Sequence, residues 1–257
     1  MKNTKLENNI RSRLRENEVQ LMTHMVLGYP SFEANLEALE LMREAGVRLT
    51  ELQIPFSEPI ADGPVIMKAC QDSLRLGTDP GKCFEFAEKV TGMFPDHDFL
   101  FMSYLNIPFR LGFAEAARKS VQIGIKGWIV PDLPPEAEPE YIDAFRESGL
   151  ATIFIFTPNS TRERLKQIDS YSTGMVYGVA RRGVTGKKTE FDAELENTIR
   201  QYKKNTDLPL GIGFGISSKQ DIDFLKGKSD IAVIGSKLIQ LYDQGPSEVR
   251  AFFKEIK

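Results

Sequence analysis

Two acidic side chains, Glu51 and Asp62, carry the strongest chemical signal in the sequence. Glu51 lies inside the apolar run Thr50-Glu51-Leu52-Gln53-Ile54, and Asp62 closes the stretch that follows, Pro55-Phe56-Ser57-Glu58-Pro59-Ile60-Ala61-Asp62-Gly63-Pro64. Alternate side chains of a strand share a face, so Glu51 and Gln53 point one way and Leu52 and Ile54 the other. If the Leu52 face meets covering helices, Glu51 points inward, where a carboxylate is costly unless it is paired, hydrated or functional. Such a group suits general acid–base work. Taken alone, the same strand is equally compatible with an inert, hydrogen-bonded glutamate. Asp62-Gly63-Pro64 by itself reads as turn or N-cap chemistry.

A second signal sits near the carboxyl end. Gly213-Phe214-Gly215 follows one apolar run and Gly235-Ser236 follows the next. Glycine lets the backbone approach an anion closely, and paired loops of this kind bind phosphate with backbone N–H groups. A bare glycine pattern could equally serve tight turns.

These residues need a frame. Short apolar runs at 21–27, 48–54, 98–104, 126–130, 151–156, 174–179, 209–213 and 231–234 read as strands buried on both faces, as parallel strands are. Between them lie helical patterns. Phe32, Leu36, Leu39 and Met42 make one stripe over 32–45, and 113–122 and 136–148 read similarly, the latter entered through Pro134 and Pro135. Ser217 or Ser218 can cap a helix running to about 226, and Pro246 opens another over 246–255. Eight strands alternating with helices predict an α/β fold, a single-domain TIM (β/α)8 barrel over residues 1–257. The charged segment 4–16 is expected to be an extra N-terminal helix covering the lower end. The segments 55–64 and 181–192 are the long loops on the carboxyl side, where barrels carry their active sites.

Composition narrows the chemistry. A formal charge of −3, with lysine and arginine scattered, offers no basic stripe for nucleic acid. No apolar stretch is long enough for a membrane span, and the charged start lacks a signal-peptide core, so a cytoplasmic protein is expected. Cys70 and Cys83 fit no zinc or redox spacing and are expected as reduced residues on helices. His24 and His97 are the only histidines, which excludes a histidine-rich metal site and disfavours a His-dependent triad. Acid–base work must rest mainly on carboxylates, with tyrosine as a further candidate.

The run from Glu51 to Pro64 resembles the signature of the tryptophan synthase alpha subunit family. Leu27-Gly28-Tyr29-Pro30, Pro131-Asp132-Leu133-Pro134, Gly183-Val184-Thr185-Gly186, Gly213-Phe214-Gly215-Ile216-Ser217 and Gly235-Ser236 follow in the family's order. The resemblance implies a lyase that cleaves indole-3-glycerol phosphate to indole and glyceraldehyde 3-phosphate by a retro-aldol reaction. Glu51 would be the general acid–base, protonating indole C3 and taking the glycerol hydroxyl proton. Asp62 would accept a hydrogen bond from the ring N–H. Tyr177 and Thr185 would contact the substrate region, with Thr185 on a lid, 181–192, that reaches Asp62. Gly186, Phe214, Gly215, Gly235 and Ser236 would hold the phosphate.

The resemblance further implies a beta-subunit partner that carries pyridoxal phosphate, joined in an alpha–beta–beta–alpha assembly, with no metal or cofactor in this chain. Glu58 and Pro59 would face that partner. Three residues depart from the family pattern: Gln53 replaces glycine, His24 replaces an aromatic residue near the indole, and Glu58 replaces aspartate. Gln53 could narrow the pocket or bond Glu51; His24 could stack on indole or pair with Glu51. Two alternatives stand beside the leading reading. One is a catalytically weak activating subunit on the same fold. The other is a different phosphate-binding barrel, an isomerase or aldolase, for which no inward lysine stands out as a Schiff-base former.

Overall fold

The computed structural model describes residues 4–15, 18–179, 193–213 and 215–256. Their elements run α1 (Lys5–Leu14), β1 (Gln20–Val26), α2 (Phe32–Glu44), β2 (Leu49–Gln53), α3 (Pro64–Arg75), α4 (Pro80–Met93), β3 (Asp98–Met102), α5 (Asn106–Leu111), α6 (Phe113–Gln122), β4 (Gly127–Ile129) and α7 (Pro139–Glu147). The chain continues with β5 (Ala151–Ile153), β6 (Ile155–Phe156), α8 (Arg162–Tyr171), β7 (Val176–Val179), α9 (Ala193–Lys203), β8 (Leu210–Gly213), α10 (Lys219–Leu225), β9 (Ile231–Ile234), α11 (Ser236–Tyr242) and α12 (Pro246–Glu255).

All pairings between these strands are parallel, in the order β5-β4-β3-β2-β1-β9-β8-β7-β6. The two ends of that order, β5 and β6, are pieces of one stretch interrupted at Phe154, whose carbonyl accepts from the Tyr177 amide at 3.1 Å. The sheet therefore returns on itself as an eight-fold TIM barrel. Each expected strand is present within a residue or two of its expected bounds, apart from that break.

Strand alternation sorts the apolar residues into two cores. Met22, Leu49, Leu100, Met102, Ile129, Ile153, Met175, Ile231 and Val233 fill the barrel interior. Leu52, Phe99, Phe101, Trp128 and Ile212 face outward, where the helices cover them. Glu51 is therefore on the inner face and Leu52 on the outer.

The expected helix 4–16 is α1. Thr4 caps it, its hydroxyl accepting from the Glu7 amide at 3.2 Å, and Leu6 and Ile10 seat in the interior cluster as its floor. The helix expected over 136–148 begins at Pro139; Pro134 and Pro135 belong instead to the turn before it. Ser218 is the cap of α10, in a capping box with Asp221. Cys70 and Cys83 are free, buried and helical. Among the described residues no helix is long and apolar enough to cross a membrane, and no group of His, Cys, Asp and Glu side chains could hold a metal ion.

Candidate active site

The carboxyl ends of the strands open onto a cavity of about 230 Å³. Its walls include His24, Glu51, Asp62, Tyr177, Gly215, Gly235 and Ser236. These come from β1, β2, the loop after β2, β7, and the loops after β8 and β9, so residues far apart in sequence meet at one mouth.

Glu51 is only 4% exposed, and its neighbour across the parallel ladder is His24. That register sets the side chains together: His24 Nδ1 lies 2.7 Å from Glu51 Oε1. Burial pulls the His24 pKa down, but the Glu51 carboxylate, the Asp62 charge and Gln53 outweigh it, and it stands above its ordinary value. His24 thus pairs with Glu51, the second of the two possibilities left open by its sequence.

Asp62 is 5% exposed and does not cap α3; Gly63 holds that position without a side-chain bond. Two donors converge on one Asp62 oxygen. Gln53 Nε2 donates to Oδ2 at 2.7 Å, and the Tyr104 hydroxyl donates to the same atom at 3.0 Å. Burial raises the Asp62 pKa, partly offset by His24, Gln53 and Tyr104. Gln53 is fully buried and bonds Asp62 rather than Glu51, so the bond to the glutamate that its sequence left open is not the one made.

Tyr104 was not singled out by the sequence. Its hydroxyl also accepts from the Ala61 amide at 3.0 Å, and its ring packs on Phe56 at 5.2 Å, so it braces the whole loop carrying Asp62. The available signal was its position just beyond β3 on the active-site side.

Tyr177 stands on the opposite wall, and burial together with the Glu51 and Asp62 charges holds its hydroxyl protonated well beyond the usual range. Gly213 makes room for it: a Cβ there would lie 2.3 Å from the Tyr177 hydroxyl oxygen. Gly215 adopts φ +80°, a left-handed conformation that glycine takes without strain. Gly235 and Ser236 begin α11 beside it on the cavity wall. Phe214, Thr185, Gly186 and the lid 181–192 lie outside the described residues.

Three polar atoms around this cavity are buried without a hydrogen-bond partner among the described residues: His24 Nε2, Glu51 Oε2 and Gln53 Oε1. Leaving such atoms unpaired costs about 1–3 kcal/mol each, a debt that a bound ligand or proton can relieve. At the rim, Glu58 is exposed but Pro59 is buried within the chain, so only the first is available to a partner; the neighbouring Ile60, 76% exposed, is the accessible apolar residue there.

The pattern that defines the tryptophan synthase alpha chain matches residues 10–256. The chain belongs to the tryptophan synthase alpha chain family. A tryptophan synthase alpha chain from Syntrophotalea carbinolica is 46% identical over 253 residues, 98% of this chain and 100% of the relative. One from Desulforapulum autotrophicum is 48% identical over 252 residues, 98% and 99% of the two chains. Among solved structures, tryptophan synthase from Mycobacterium tuberculosis superposes with a TM-score of 0.89 at 29% identity, covering 99% of this chain and 97% of that one. The tryptophan synthase α2β2 complex of Pyrococcus furiosus gives 0.83 at 28% identity, covering 92% and 97%. The tryptophan synthase alpha family is one of lyases built on TIM barrels and serving tryptophan biosynthesis, and this chain shares its fold throughout.

Proposed function

We propose that this chain cleaves indole-3-glycerol phosphate to indole and glyceraldehyde 3-phosphate, working with a pyridoxal-phosphate-bearing beta subunit that receives the indole. The observation that carries the reading is the meeting of Glu51 and Asp62, both nearly inaccessible to solvent, in one cavity that Gly215, Gly235 and Ser236 also line. A substrate that carries both a phosphate and an indole suits a cavity lined by glycine loops and by two carboxylates.

With the phosphate against the glycine loops, the indole lies toward Glu51 and Asp62. Glu51 in its acid form delivers a proton to indole C3, and the ring becomes a cation that resembles an indolenine. Asp62 accepts the ring N–H bond and stabilises that positive charge at the far side of the ring. Glu51, now a carboxylate, takes the proton of the glycerol hydroxyl. The carbon–carbon bond to C3 breaks, its electron pair neutralises the ring, and the carbinol carbon becomes the aldehyde. One proton has moved from hydroxyl to carbon and no cofactor is consumed. Gln53 and Tyr104 both hold Asp62 Oδ2, so the ring N–H falls to Oδ1.

Partnership rests on the family and on the complexes among its structural relatives. The exposed Glu58 and Ile60, beside the loop that carries Asp62, are the surface we assign to it.

The test is indole release from indole-3-glycerol phosphate, with and without a cognate beta subunit. Glu51→Gln and Asp62→Asn should each lower cleavage by about 100-fold or more while the fold persists. An inactive wild-type complex with beta-subunit activation intact would instead make the chain an activating subunit.

A further inference from the structure

Glu51 and Asp62 are each gripped by a strand side chain, and the two gripping residues lie on adjacent strands, each with an unused hydrogen-bonding atom. His24 Nδ1 holds Glu51 Oε1 at 2.7 Å; Gln53 Nε2 holds Asp62 Oδ2 at 2.7 Å. His24 and Gln53 lie on the inner faces of adjacent strands, where the register sets Glu51 opposite His24 and Gln53 opposite Val26. A carboxylate acceptor fixes the Gln53 amide with its nitrogen toward Asp62, which leaves the carbonyl oxygen turned away. That oxygen is buried and without a partner among the described residues, and so is His24 Nε2. Gln53 adds to the Glu51 and Asp62 charges in favouring the protonated ring against the burial that opposes it. Protonated imidazole offers an N–H on both nitrogens, the one state that can serve an acceptor at each end.

We propose that His24 and Gln53 are positioning residues that join the two catalytic carboxylates into one unit, a chain running from Glu51 through the His24 ring and the Gln53 amide to Asp62. The inference rests on the retro-aldol reading for its catalytic meaning; the two outer bonds are made in the unliganded protein, and the link from His24 Nε2 to Gln53 Oε1 is the part proposed. With His24 protonated, Nε2–H meets Gln53 Oε1, the amide is fixed, and Asp62 is held by Gln53 and Tyr104 together. With His24 neutral and its proton on Nδ1 toward Glu51, Nε2 carries a lone pair against that oxygen and the link opens. The charged groups facing the ring are Glu51 from β2 and Asp62 from the loop after it; Tyr177 from β7 and Lys237 from α11 stand on other walls of the cavity. One proton on His24 therefore sets the geometry of both ends of the reacting indole.

Two measurements decide it. Imidazole-labelled protein gives only two ring titrations by NMR, because His24 and His97 are the only histidines. Gln53→Met removes both amide groups at nearly constant length and should lower the His24 midpoint by about half a pH unit or more. The His97 signal, from a ring stacked on Phe99 and bonded to Thr50, should stay put and so reports an intact barrel. An unmoved His24 midpoint overturns the proposal.

In the alpha–beta complex, His24→Phe and Gln53→Met should each lower kcat about tenfold with KM changed less than about twofold, and the double variant should be no worse than either single. Losses that multiply to about 100-fold mean independent roles and also overturn it. If the wild-type complex does not cleave the substrate, the retro-aldol reading falls, and the titration alone decides the coupling.

Discussion

His24 and His97 are both buried, and their surroundings move their protonation in opposite directions. His24 gains the Glu51 carboxylate; its contribution to stability is present below its ordinary value near 6.5 and is lost as pH rises through its higher folded value. His97 meets burial first and then Arg43, Arg13 and Arg48, which hold its pKa down to about 3. Its sign is the reverse. The unfolded chain takes up this proton near 6.5 and the folded chain only near 3, so stability is full above 6.5 and drains as pH falls between those values. The slope contributed is about 1.4 kcal/mol per pH unit at most. His97→Phe should therefore flatten the acid limb of a urea-unfolding series between those pH values; parallel limbs for the variant and wild type would show that His97 does not govern it. At this scale Glu51 and Asp62 stood out through the resemblance of the whole run 51–64 to the family, since the strand and the turn alone left each open to an inert reading. Tyr104 was not, because a tyrosine ending an apolar strand looks like any core aromatic until the loop that it braces is in place.

α1 shows what a short helix does for the barrel. Its ten residues bury Leu6 and Ile10 completely, and these close the bottom of a cylinder whose upper end must stay open for substrate. Leu6→Ala leaves a void in a tightly filled layer and should cost about 2–5 kcal/mol in denaturant unfolding. Asn8→Ala, on the exposed side of the same helix, should change stability by less than about 0.5 kcal/mol. Equal effects of the two would mean that α1 does not pack as the floor. The charged run 4–16 announced a helix in the sequence, and the strands announced themselves by continuous apolar runs. The start of α7 was misread because Pro134 and Pro135 suit a first helical turn as well as the turn they form; only Pro139 begins the helix. The break at Phe154 was invisible, since the apolar run 151–156 is continuous in sequence and the interruption comes from how the stretch pairs with β4 on one side and β7 on the other.

Over the whole molecule, the mouth of the barrel holds the pocket and, in our proposal, the partner surface beside it. Ile60 projects from the loop that carries Asp62, so a beta subunit seated there would press on the catalytic segment itself. Ile60→Asp should weaken beta-subunit binding at least about tenfold in a titration while leaving the isolated chain as stable as wild type. Unchanged affinity would place the interface elsewhere. The sequence by itself determined the alternation of strands and helices, the placing of Glu51 and Leu52 on opposite faces of one strand, and the glycine loops, because these depend on periodicity and local chemistry within a few residues. Tertiary structure decided what those residues touch. Gln53 holds Asp62 and not Glu51, and His24 meets Glu51, because strand register and the path of the 54–63 loop bring together atoms whose separation in sequence carries no information about distance.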